Sequence, residues 1–137
     1  VATVRPLYAD TDQMGVINHA VALRWFERAR AEWLRRLDYT YREFEESGLM
    51  LPVYEVQIRY HKPAYYDQLL GLEARLSLPG AVRVVFDYRV VDQKSGAALI
   101  EGTTRHAVVG RDGRPRRMTQ EIRTLLERGI VQQGQQG

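Results

Sequence analysis

The stretch from His19 to Leu37 constrains the fold more than any other part of the chain. Apolar side chains at Ala22, Trp25, Phe26, Ala29, Trp33 and Leu37 recur at helical spacing and merge into one broad stripe. Arg24, Arg28, Arg35 and Arg36 take the opposite flank. Both tryptophans of the chain lie on this stripe, so the helix is expected to be deeply packed. After Gly48 the period changes to two. Tyr54, Val56, Ile58 and Tyr60 alternate with polar residues, which predicts a half-buried strand ended by Pro63. Further alternating runs cover Gln68–Leu78, Val82–Val91 and Ala97–Val109, separated by the turn signals Pro79-Gly80 and Lys94-Ser95-Gly96. Hairpin-like connections throughout predict an antiparallel meander. One long apolar helix followed by such a sheet is an α+β layer architecture. The stripe is too wide for a flat sheet, so a twisted antiparallel sheet wrapped around the single central helix is expected.

At 137 residues the chain suits one domain around one core, expected over residues 1–131. Thr119 and Glu121 mark the start of a short helix over Gln120–Arg128. The polar, low-complexity residues 132–137 read as a flexible tail. No apolar run is long enough to span a membrane, no signal-peptide pattern is present, and a cytoplasmic location is expected. Cysteine is absent, which removes disulfides, thiolate metal sites and a cysteine nucleophile. The histidines, His19, His61 and His106, are too far apart in sequence to form a helical ligand pair, so no metal site is expected. The net charge is +3 and almost all the cations are arginine, a residue suited to phosphate groups on a ligand. The arginines are scattered and not interleaved with aromatics, so nucleic acid is not an expected partner.

Chemistry concentrates in Tyr8-Ala9-Asp10-Thr11-Asp12-Gln13-Met14-Gly15-Val16-Ile17-Asn18-His19. Val4–Tyr8 reads as a short strand entering this loop, and Gly15 permits the tight turn. Asn18 suits the helix N-cap, leaving the His19 N–H free at the positive end of the helix. Asp12 could serve an acyl-transfer reaction as a general base on water or as a nucleophile forming a mixed anhydride, with the helix end stabilising the oxyanion. Asp10 and Asp12 also fit as ordinary turn and capping residues, and His19 as a helix-terminal hydrogen-bonding residue.

Tyr8-x-Asp10-Thr11-Asp12-x-x-Gly15-x-x-x-His19, with Phe26-Glu27-Arg28-Ala29-Arg30, resembles the 4-hydroxybenzoyl-CoA thioesterase-like branch of the hotdog superfamily, which includes acyl-CoA thioesterases of the Tol–Pal type. A weaker likeness continues through Tyr60-His61-Lys62-Pro63-Ala64-Tyr65-Tyr66-Asp67. The resemblance implies a hotdog fold and hydrolysis of acyl-CoA thioesters. It implies Asp12 as the catalytic carboxylate, His19 as a residue orienting the substrate, and Tyr8 as a pocket residue. Gly15 and Asn18 would shape the substrate-binding loop, while Trp25 and Met14 would shape the acyl pocket. Arg59, Lys62 and Arg83 are candidates for the phosphates of coenzyme A, which is part of the substrate; no separate cofactor is implied. A homodimer or homotetramer follows from the same resemblance, with the site between subunits. Glu27 belongs to the signature and is expected to pair with Arg30 or a neighbouring strand. Two positions depart from the pattern: Tyr66 replaces a glycine common before the aspartate, and Asn18 replaces an aromatic. The alternatives are a non-catalytic acyl-CoA or acyl-carrier sensor and a hydratase or dehydratase on the same fold.

Overall fold

The computed structural model describes residues 2–12, 15–39 and 41–136. Strand β1 (Ala2–Val4) leads through a 3₁₀ turn (Tyr8–Asp10) to helix α1 (Val21–Arg35), the short helix α2 (Tyr41–Glu46) and strand β2 (Leu49–Met50). Strands β3 (Val53–Tyr60), β4 (Leu70–Gly80), β5 (Arg83–Asp92) and β6 (Ala98–Ala107) follow, then β7 (Val109–Gly110) and helix α3 (Gln120–Gln136). The main sheet is antiparallel in the order β1-β4-β5-β6-β3, and β2 pairs with β7 beside it. The β4–β5–β6 meander is the one the alternation implies. β3, however, pairs with β6 and not with its sequence neighbour β4, so the chain between them crosses the sheet.

Helix α1 lies in the concave face of the sheet, as expected. Its buried stripe of Val21, Ala22, Trp25, Phe26, Ala29, Trp33 and Leu34 meets Leu72, Leu76, Phe86, Tyr88, Val90 and Ile100 in one core. The Phe26 ring stacks on Tyr88 with centroids 4.3 Å apart and planes 5° from parallel. Gly102 makes room for this packing: a Cβ there would come within 2.5 Å of the Phe26 ring. Trp33 meets Phe86 edge-on.

Three local expectations need correction. The chain leaves β1 at Val4 and forms the 3₁₀ turn where a strand to Tyr8 was expected. β3 is exposed along most of its length rather than half-buried, with Tyr54 52 % and Val56 42 % exposed. Its alternation is real, but α1 covers the sheet only as far as β6, so the apolar face of this edge strand lies open. Finally, α3 does not stop at Arg128; Thr119 Oγ1 caps it as expected, accepting the Ile122 N–H at 3.2 Å, but it continues to Gln136. Residues 132–136 are helical, with Gln133 anchored. Its carboxamide accepts from Leu76 N–H and donates to Leu76 O, both at 2.8 Å, and also accepts Trp33 Nε1–H at 2.9 Å. A side chain thereby takes the place of a neighbouring strand where β1 no longer covers the β4 edge. No helix among the described residues is long and apolar enough to cross a membrane.

Candidate active site

The segment before α1 is a small hairpin. Thr11 pairs with Ile17, and Asn18 N–H donates to Asp10 O at 2.8 Å. At its tip Asp12 N–H donates to Val16 O at 2.8 Å and Gly15 N–H to Asp12 O at 3.1 Å. Gly15 has φ +78°, the left-handed conformation that closes this turn, with open space where a Cβ would lie. Glycine is needed there for its backbone freedom and not for its size. The Asp12 carboxylate lies near the Val16 N–H at 3.4 Å. Met14 lies outside the described residues.

Asp10 anchors the hairpin. Its carboxylate is largely buried, accepts the Leu7 N–H at 2.9 Å and takes Arg24 of α1 at 3.0 Å. The turn reading of Asp10 therefore holds, with the added consequence that it ties the loop to the helix. Between hairpin and helix, Asn18 Oδ1 accepts the Ala20 N–H at 3.0 Å and Asn18 O accepts the Val21 N–H at 3.0 Å. The expectation that Asn18 caps the helix needs correction: α1 begins at Val21, its N-cap position is Ala20, which gives no side-chain bond, and Asn18 closes the turn just before it. The N–H groups of Asn18, Ala20 and Val21 all have acceptors; among the described residues that of His19 has none. An unpaired donor at the start of a helix is suited to a developing negative charge. The His19 imidazole is exposed and lies 4.7 Å from the Tyr60 ring.

The segment after β3 crosses this hairpin. Ile17 N–H donates to Ala64 O at 2.9 Å and Val16 bridges Tyr65. Lys62 stands two residues before Ala64, its N–H donating to Leu99 O at 3.2 Å. Tyr8 is 80 % exposed and meets Tyr66 edge-on at 6.2 Å, so it lines a surface and not the core. In the turn holding Tyr66 the left-handed residue is Asp67, with φ +62°, and not Tyr66, so the backbone at 66 does not call for glycine. Trp25 is buried in the core. Glu27 is exposed and makes no ion pair among the described residues, while Arg30 reaches Tyr88 at 3.1 Å.

Arg59 adjoins Tyr60 in β3 but makes no hydrogen bond or ion pair with the hairpin among the described residues, and Arg83 lies at the other end of β3. Arg59 lies opposite Glu101 on β6 and lines a cleft on the outer face of the sheet with Asp87, Arg89 and Thr103. Arg83 donates to Tyr54 Oη at 2.6 Å and sits 5.4 Å over its ring. At roughly 3.3 Å per residue the Tyr54 end of β3 is about 20 Å from the Tyr60 end, beside His19. The residue sequence reasoning missed is Tyr60, whose phenol donates to His19 O at 2.5 Å. Its place in an alternating strand marks it as a packing residue, and nothing local signals a partner so distant in sequence. No cluster of three potential metal ligands occurs among the described residues.

Residues 6–126 match the thioesterase-like superfamily. The acyl-CoA thioesterase YbgC of Haemophilus influenzae is 39 % identical over 89 residues, 64 % of this chain and 65 % of that protein. The acyl-CoA thioester hydrolase YbgC of Escherichia coli O6:H1 is 29 % identical over 92 residues, 67 % and 69 % of the two chains. In fold, the structure superposes on a DHNA-CoA thioesterase from Staphylococcus aureus with a TM-score of 0.87 at 24 % identity, covering 99 % of this chain and 93 % of that one. With the match spanning most of the chain and a helix held in a concave antiparallel sheet, the chain belongs to the thioesterase-like superfamily and is a thioester hydrolase of the hotdog fold.

Proposed function

We propose that the protein hydrolyses acyl-CoA thioesters, with Asp12 as the catalytic carboxylate and the His19 N–H as the donor to the thioester carbonyl. The observation that carries this reading is that, among the described residues, the His19 N–H has no acceptor while the N–H groups of Asn18, Ala20 and Val21 beside it do. A carbonyl oxygen accepting that bond gains charge as the tetrahedral intermediate forms, and a fixed donor stabilises that charge. Asp12 either takes a proton from water as it adds to the carbonyl, or adds itself to give an anhydride that water then opens. In both routes the carbon–sulfur bond breaks, coenzyme A leaves as the thiol after protonation, and the acid is released.

The same reading makes the working unit a homodimer. β3 is an open edge strand with exposed apolar side chains, a surface that invites a second strand. Antiparallel pairing of two copies of β3 about a twofold axis would set the Tyr54 end of one beside the Tyr60 end of the other. The partner subunit's Arg83 would then stand near His19, available with Lys62 to the phosphates of coenzyme A. The acyl group is left open by these residues.

The test is thiol release from a panel of short, long and aromatic acyl-CoAs. Release with formation of the free acid supports hydrolysis. Binding without thiol release would replace it with a sensor, and a hydrated or dehydrated acyl chain still on coenzyme A would replace it with a hydratase or dehydratase.

A further inference from the structure

The backbone around His19 is fixed from both sides. The peptide joining Asn18 to His19 is held by Val21 N–H on Asn18 O at 3.0 Å. The next peptide, joining His19 to Ala20, is held at its N–H by Asn18 Oδ1 at 3.0 Å and at its carbonyl by the Tyr60 phenol at 2.5 Å. In a regular helix the His19 carbonyl would accept the Leu23 N–H, four residues on. Leu23 instead donates to Ala20 O at 3.3 Å, which tightens the first turn and leaves the His19 carbonyl to Tyr60. The φ and ψ of His19 therefore lie between two anchored peptide planes. Of the anchors, Tyr60 alone comes from the sheet, at the end of edge strand β3, where its register partner is Ile100. Burial pushes its phenol above the ordinary tyrosine range, so it remains a donor at neutral pH.

We propose that Tyr60 is a positioning residue for thioester hydrolysis: its bond to the His19 carbonyl fixes the turn that aims the His19 N–H at the substrate carbonyl. The proposal rests on the reading of that N–H as the oxyanion donor. Oxyanion stabilisation depends on a donor already in place before charge develops, and small misplacements of catalytic groups are costly. The tie also makes the geometry of the site depend on the position of β3.

Tyr60→Phe keeps the ring against His19 and removes only the hydroxyl. The expected result is a fall in kcat on the order of tenfold, with KM within about twofold, because a donor loosened mainly in the transition state affects kcat selectively. Tyr39→Phe, which removes a phenol at the far end of α1, is expected to leave both constants unchanged. Amide exchange of the Tyr60→Phe protein, read residue by residue, separates positioning from general damage. Exchange should quicken at Ala20 and Val21 and stay slow through Phe26. Unchanged kcat, a matching rise in KM, or faster exchange throughout α1 would overturn the proposal. Asp12→Asn, assayed alongside, keeps the two readings distinguishable. An active Asp12→Asn protein would remove the site assignment itself, whereas an inactive one beside a fully active Tyr60→Phe protein would remove only the role of Tyr60.

Discussion

His106 is 1 % exposed and ends a chain of hydrogen bonds that runs in one direction. The Leu51 carbonyl, 3.1 Å away, can only accept, so Nδ1 carries the proton. Nε2 of the neutral ring then accepts from Thr104 at 2.8 Å, Thr104 accepts from Tyr88 at 2.5 Å, and Tyr88 accepts from Arg30 at 3.1 Å. Protonating Nε2 would force the hydroxyls to reverse against a guanidinium that only donates. Burial, opposed by the Leu51 bond and aided by Arg30, lowers the His106 pKa from 6.5 to about 4. Because the folded value lies below the unfolded one, the unfolded chain binds the extra proton between these values. Stability is therefore fully present above about pH 6.5 and falls as pH drops towards 4. Urea unfolding at pH 7 and pH 4.5 is expected to differ through this residue by a few kcal/mol at most, on the order of 3. His106→Gln, which retains a donor for Leu51 and an acceptor for Thr104, should flatten that dependence. An equal slope in both proteins would contradict it.

At the level of elements, Gln133 has the most to explain, because one side chain completes the β4 edge and holds the end of α3. Gln133→Leu keeps the volume and leaves the Leu76 N–H, the Leu76 carbonyl and the Trp33 Nε1–H without their partner. A cost of about 1–3 kcal/mol is expected in urea unfolding, with exchange quickened at the Leu76 amide; unchanged stability and exchange would contradict the role. The helical stripe of Ala22 to Leu37 and the period-two runs from Leu70 onward were legible because burial on one face imposes its period directly on the sequence. The helical course of residues 132–136 was not, because this stretch has no apolar pattern and its anchor, Gln133, bonds a partner, Leu76, far away in the chain. The pairing of β3 with β6 was hidden for a related reason: alternation fixes which face a strand turns inward, not which strand lies beside it. In the site, Gly15 and the turn role of Asp10 could be read locally. The tie from Tyr60 to His19, and the place of Arg83 at the other end of β3 from it, depend on the crossing of the sheet.

For the molecule as a whole, a single subunit joins the hairpin bearing Asp12 to the start of α1 but leaves Arg83 at the far end of β3. The dimer proposed across that strand would cover an edge rich in Tyr54, Val56 and Tyr60. In the proposed function the hydrolytic step rests on one carboxylate at the hairpin tip, Asp12. The most direct measurement is kcat/KM for thiol release by Asp12→Asn, on the acyl-CoA the wild type cleaves fastest, with oligomeric mass and unfolding midpoint measured on the same sample. A loss of roughly 10²–10⁴-fold is expected, the scale of a lost acid–base group, with mass and midpoint unchanged. Activity within about tenfold of wild type, a difference of only about 1.4 kcal/mol in the barrier, would contradict the account.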